Sequence, residues 1–144
     1  MMEADLAARN LSILVADDEP VNRKIIQRLL KHCGLTCDLV EDGFECVSKA
    51  MAEDYDLILM DIDMPGMGGI EAARELQKLR GATTPKIIAV TAHVSVAQKE
   101  ACDQAGFDGF IPKPVKLETL TQVLKESLFD TDTAVQPSPL ENAR

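Results

Sequence analysis

Asp17-Asp18, Asp61, Thr91 and Lys113 are the residues of this chain whose types and spacing could do chemistry together. Each follows a short apolar run, and each brings a different capacity. Clustered carboxylates repel one another unless a cation sits among them, and hard oxygen ligands favour Mg²⁺ over a softer metal. A carboxylate at such a cation can also act as a nucleophile, a hydroxyl can donate to an anionic oxygen, and an ammonium can clamp one. Together these parts make a phosphoryl-transfer site. Taken singly, each has a plainer reading: Asp61 as a strand-end acid facing water, Thr91 as a strand-end hydroxyl, Lys113 as a solvated charge.

The elements that must bring them together are legible as alternating apolar runs and amphipathic stretches. Leu57-Ile58-Leu59-Met60 is four apolar residues between Asp56 and a Pro/Gly-rich turn, the pattern of a parallel strand buried on both faces. Similar strands are expected at Leu11–Ala16, Lys86–Val90 and Phe107–Ile111, with a polar-interrupted edge strand at Leu35–Val40. Pro20 suits a first helical position and Gly34 a helix C-terminus, with Val21, Ile25, Leu29 and Cys33 as the apolar repeat between them. Phe44, Val47 and Met51 mark a second helix, and Ile70, Ala73 and Leu76, with Ala72 and Leu79 alongside, a third. A fourth, at about residues 95 to 105, repeats Ala97, Ala101 and Ala105. Because alanine buries little area, this helix is expected to be held weakly and to move most easily. Leu117, Leu120, Leu124 and Leu128 line the last.

Strict alternation of strand and helix predicts an α/β fold with a five-stranded parallel sheet and helices on both faces. In such a sheet the acids, the hydroxyl and the lysine all fall on the rim at the carboxyl ends of the strands. A flavodoxin-like order, 2-1-3-4-5, reverses direction between strands one and three, where ligands bind.

Composition narrows the function. With 24 acidic and 15 basic residues among 144, the chain carries a net charge of -9, which repels phosphate backbones and argues against direct binding of nucleic acid. No apolar run approaches the roughly 18 residues of a membrane span, and the acidic start is unlike a secretion signal, so a cytoplasmic location is expected. Cys33, Cys37, Cys46 and Cys102 form no CxxC pair, and with His32 they match no zinc-ligand spacing.

Asp17-Asp18, Asp61, Thr91-Ala92 and Lys113-Pro114, at these intervals and strand ends, resemble the receiver domain of two-component response regulators. The local wording Pro20-Val21-Asn22-Arg23 and Ala89-Val90-Thr91-Ala92 is most similar to receivers associated with hybrid histidine kinases. The resemblance implies that Asp61 is the phosphoacceptor and that Asp18 and Asp61 ligate Mg²⁺. Asp17 would help through water, and the Asp63 backbone carbonyl would be a further ligand. It also implies that Thr91 and Lys113 hold the phosphoryl oxygens, that Phe110 is the aromatic whose rotation accompanies Thr91 in the switch, and that Lys113-Pro114 is commonly cis. In relatives the residue two beyond the acceptor, here Asp63, influences loss of the phosphoryl group; an acid there could repel or orient the attacking water.

The implied partners are a histidine kinase or a histidine phosphotransfer protein as donor and a downstream protein target, read through helix four, strand five and helix five. Pairing of that face with a second copy stays open. Residues 1–10 are expected to be a leader, 11–128 the receiver and 129–144 a disordered tail. Such a protein is a phosphoacceptor rather than a turnover enzyme. The stretch from Leu57 to Asp63 also resembles the opening motif of haloacid-dehalogenase-type phosphatases, but those carry the motif on their first strand and a second acidic pair after the lysine. Here the pair comes first. A receiver-like module that works without phosphate is the remaining alternative, although all the acceptor groups are present.

Overall fold

The computed structural model describes residues 11–129, and the expectations for a leader at 1–10 and for the tail beyond Phe129 lie outside them. Five strands, β1 (Ile13–Ala16), β2 (Asp38–Val40), β3 (Leu57–Asp61), β4 (Lys86–Thr91) and β5 (Gly109–Pro112), alternate with five helices. These are α1 (Pro20–His32), α2 (Gly43–Ala52), α3 (Gly69–Arg80), α4 (Val96–Gln104) and α5 (Leu117–Leu124). A π-helical turn, Lys125–Phe129, follows α5. All strand pairs are parallel and the order is β2-β1-β3-β4-β5, as the alternation predicts.

Alternation along each strand divides the core between the two faces of the sheet. Leu14, Ile58, Met60 and Ile87 point toward α2, α3 and α4, where Cys46, Ala72, Leu76 and Cys102 meet them. Val15, Leu57, Leu59 and Ile88 point the other way, against Ile26 and Leu30 of α1 and Leu120 and Leu124 of α5. Every residue of β1 and β3 is buried, which explains their unbroken apolar runs. β2 is an edge, and its polar interruptions are tolerated there.

The apolar repeats locate the helices correctly but misassign several of their inward faces. Val21 and Ile25 are 64% and 38% exposed, whereas Ile26, Leu30 and Cys33 carry the packing. At 3.6 residues per turn, four-residue steps drift by about 40° each, so Val21 and Cys33 cannot share one face. The same drift leaves Ala97 exposed and puts Cys102 and Ala105 inward in α4. In α2 the large apolar residues Phe44 and Met51 are exposed, while the small Gly43, Cys46 and Ala50 face the core; Leu79 of α3 is also exposed.

Strand starts shift for an identifiable reason. Gly34, at φ 80, ends α1 in a Schellman turn in which Gly34 N–H donates to Lys31 and Leu35 N–H donates to Leu30. Leu35 therefore belongs to the helix terminus, and β2 begins only at Asp38. Likewise Phe107 N–H donates to the Cys102 carbonyl, closing α4 before β5 begins.

Candidate functional site

Register alone sets the acids side by side. Ala16 lies opposite Met60, so Asp17 and Asp61, one residue further on each strand, meet at the rim. Asp61 in turn lies opposite Val90, and Thr91 opposite Pro112, which sets Thr91 and Lys113 at the same rim. Lys113 N–H donates to the Thr91 carbonyl at 2.9 Å, anchoring the start of the next loop. The Lys113-Pro114 peptide is cis, as the sequence resemblance implied.

Three of these side chains are removed from water. Asp17, Asp61 and Thr91 are buried, and Asp18 is exposed at their edge. Carboxylate oxygens of Asp17, Asp18 and Asp61 all lie within 4.8 Å of one another, the one such group of potential metal ligands among the described residues. No zinc cluster forms around His32, Cys33, Cys37 and Cys46. Burial instead pushes the Cys37 thiol up to about 11 and the Cys46 thiol to about 12, with the Asp38 and Asp42 charges adding to the effect.

Lys113 is the positive charge that the acids demand. Its Nζ stands 3.1 Å from Asp17 Oδ2 and 3.3 Å from Asp61 Oδ1. Burial works against the ammonium, but hydrogen bonding to Asp17 and the charges of Asp61 and Asp17 outweigh it, so its pKa rises. Asp61 moves further: burial first, then the Asp17 charge, lift its carboxyl to about 7 against the opposing pull of Lys113. One ammonium therefore undercompensates three acids. Asp17 Oδ2 is buried, lacks a hydrogen bond of good geometry and is held by the Lys113 ammonium 3.1 Å away. A buried, under-satisfied carboxylate oxygen beside two more carboxylates suits a divalent hard cation, so the residues present fit Mg²⁺.

The loops around the acids are themselves pinned. Asp17 Oδ1 accepts from Glu19 N–H at 2.9 Å, and Arg23 Nη1 donates to the Asp17 carbonyl at 2.7 Å. After β3, Gly69 N–H donates to the Ile62 carbonyl, and a Cβ at Gly69 would run into the Asp61 carbonyl oxygen. The glycine is needed because α3 starts against the backbone of the candidate acceptor.

These observations agree with what the chain is similar to. The family model described as the response regulator receiver domain matches residues 13–125. The chain belongs to the response regulator receiver family. The sensor histidine kinase GacS of Pseudomonas protegens is 36% identical to this receiver over 125 residues, 85% of the chain and 14% of that protein. The chain thus spans about one seventh of the length of that relative. The two-component response regulator 24 of Arabidopsis thaliana is 37% identical over 130 residues, 90% of the chain and 92% of that protein. Among solved structures, the receiver domain of sensor histidine kinase PA1611 from Pseudomonas aeruginosa has a magnesium ion coordinated in its active-site cleft. It is 35% identical, with a TM-score of 0.75 over 81% of this chain and 96% of that one. The receiver domain of Saccharomyces cerevisiae Ssk1, in complex with the phosphotransfer protein Ypd1, is 26% identical, with a TM-score of 0.77 over 85% and 91%. This chain is a receiver domain of two-component phosphorelays, homologous to those of hybrid sensor kinases, and the phosphatase alternative is not favoured.

The structure brings Asp17, Asp18, Asp61 and Lys113 together and sets Thr91 at the same rim. Asp63 lies in the loop just beyond Asp61, and its N–H donates to Asp61 Oδ1 at 3.3 Å. Phe110 is half-buried on β5, with the Lys99 ammonium 5.6 Å from its ring centre. Two residues at the site escaped the sequence reading. Arg23 clamps the loop after β1, and His93, two residues beyond Thr91, meets Asp63, two beyond Asp61, with Nδ1 2.6 Å from Oδ2. No local pattern signals either contact, because each depends on where two separate segments meet.

Proposed function

We propose that the receiver takes a phosphoryl group from a phosphohistidine onto Asp61. An Asp61 carboxylate oxygen attacks phosphorus, the phosphorus–nitrogen bond breaks, and the departing imidazole keeps the electron pair and takes up a proton. Asp18, Asp61 and the Asp63 carbonyl would hold Mg²⁺ directly, with Asp17 assisting through water. The ion would supply positive charge among the carboxylates and beside the transferred oxygens. Thr91 and Lys113 donate to those oxygens. The observation that carries this reading is the meeting of three carboxylates and one ammonium at a single parallel-sheet rim.

Phosphorylation adds about 1.5 to 2 negative charges and three acceptor oxygens. Thr91 is drawn toward them and Phe110 turns into the vacated space, so the face formed by α4, β5 and α5 differs between states. That face is what a downstream partner reads, and the donor is a histidine kinase or a histidine phosphotransfer protein, the class of protein to which Ypd1, in complex with the receiver domain of its downstream response regulator Ssk1, belongs. The receiver is consumed and slowly regenerated as an acceptor, in the cytoplasm, rather than turning over a small substrate.

Incubation with Mg²⁺ and acetyl phosphate, followed by intact-mass measurement, tests the assignment. The expected result is a gain of one phosphoryl group that Asp61→Asn and chelation both abolish. An unchanged mass refutes it, and rapid turnover of a generic phosphomonoester would favour the phosphatase instead.

A further inference from the structure

Helix α1 carries four of the chain's 15 lysine and arginine residues and no acid, within a molecule whose net charge is -9. Arg23 is used locally, reaching the Asp17 carbonyl and Glu41. Lys24, Arg28 and Lys31 are exposed, and their side chains make no ion pair or hydrogen bond among the described residues. Spaced four and three residues apart, they share one face of the helix, away from the inward Ile26 and Leu30. Like charges at this spacing repel, so the face is costly until something negative meets it. The helix dipole favours a cation in the last turn, which accounts for Lys31 but not for Lys24 in the second turn.

These cations form one wall of a hollow of about 390 Å³ whose other wall is Leu35, Thr36 and Cys37, the segment leading into β2. No carboxylate lines it. The next residue, Asp38, turns to the opposite face of the sheet, where Tyr55 Oη donates to its Oδ2 at 2.6 Å. Lys31 lies about 16 Å along α1 from Pro20, so the hollow runs toward the amino ends of the strands, away from Asp61.

Beside the hollow, β2 is a sheet edge with β1 as its one partner. The Val40 carbonyl accepts from Asp17 N–H, so Val40 is directed at β1 and the N–H and C=O of Leu39 are directed outward. An added strand can bond to them. Its residues rise about 3.3 Å each, so about four of them span the roughly 10 Å from Lys24 to Lys31, with alternate side chains on the α1 side. A lipid surface or a small anion gains nothing from an outward amide and carbonyl, whereas a polypeptide uses both. We propose that this hollow is a docking site for an extended acidic segment of a partner protein, which pairs with the edge of β2 and sets alternate carboxylates against Lys24, Arg28 and Lys31.

The test titrates the full, isotope-labelled chain with an acetylated heptapeptide alternating glutamate and valine and follows the amide spectra. Saturable shifts are expected from Lys24 to Leu39, with slower solvent exchange of the Leu39 amide, and added salt should weaken the binding because the contacts are exposed. Arg28→Glu combined with Lys31→Glu is expected to weaken it about tenfold, since two modest attractions become repulsions, and Lys24→Gln about two- to threefold. All three residues are exposed, and an unchanged melting temperature verifies the fold of each variant. A peptide with glutamine in place of glutamate is expected to give no saturable shift. Absence of saturable shifts overturns the inference, as does equal binding by the glutamine peptide, unchanged exchange of Leu39, or a charge-reversed variant that binds as well as wild type. Tighter binding of inorganic triphosphate to the same residues would make the hollow a small-anion site and overturn it too. So would capture on phosphatidylserine vesicles that the double variant loses, which would assign the face to a membrane.

Discussion

Lys113 Nζ stands 3.3 Å from Asp61 Oδ1, a contact that reaches past β4 to link the carboxyl ends of β3 and β5, strands that do not pair with each other. The ammonium also meets Asp17, so one cation holds both buried acids. That makes Lys113 a structural counter-charge before it is a ligand for any phosphoryl oxygen.

Lys113→Met should therefore destabilise the metal-free protein. Removing one partner of a buried pair costs about 3–5 kcal/mol, but Asp61 can take up a proton instead, so about 1–3 kcal/mol is expected. Urea unfolding in chelator checks this, and Mg²⁺ should recover most of the loss.

The pH dependence follows from Asp61. Its carboxyl is lifted from the ordinary value near 3.9 to about 7 by burial and by Asp17. A raised carboxyl favours the folded state fully below the unfolded value, and that contribution is lost as pH climbs through about 7. Without metal, thermal stability should thus decline between pH 4 and 8 more steeply than in Asp61→Asn. Stabilisation by Mg²⁺ should grow over the same window, because the ion needs the ionised form. Melting curves with and without Mg²⁺ measure both slopes.

Gly69→Ala should disturb the acceptor through backbone alone, since the added carbon meets the Asp61 carbonyl oxygen. Overpacking of this kind costs about 1–3 kcal/mol. Mg²⁺ affinity and phosphoryl loading should fall with it, although no charged group has changed, and titration calorimetry on the folded variant would detect the loss.

Neighbouring isoleucines of α1 should behave oppositely. Ile26 is 2% exposed and Ile25 is 38% exposed. Ile26→Ala is expected to cost about 2–5 kcal/mol and Ile25→Ala no more than about 1 kcal/mol in urea unfolding. Equal losses would contradict the orientation of the helix.

The alternation of apolar runs with helical repeats determined the fold class, because a chain that buries strands on both faces has few other arrangements available. Asp17, Asp18, Asp61, Thr91 and Lys113 were legible as candidates for the same reason: each ends an apolar run, and parallel strands put all such ends on one rim. What tertiary structure decided was distance and facing. Whether Val21 or Ile26 turned inward depended on a drift that accumulates along α1 and on which neighbours it met, and hydrophobicity does not distinguish them. The need for glycine at position 69 came from a carbonyl on another element, and the pairing of His93 with Asp63 from two loops whose approach no local pattern encodes. Local sequence specifies periodicity and chain punctuation, while contacts between distant segments are set only when the packed sheet fixes the register of its strands.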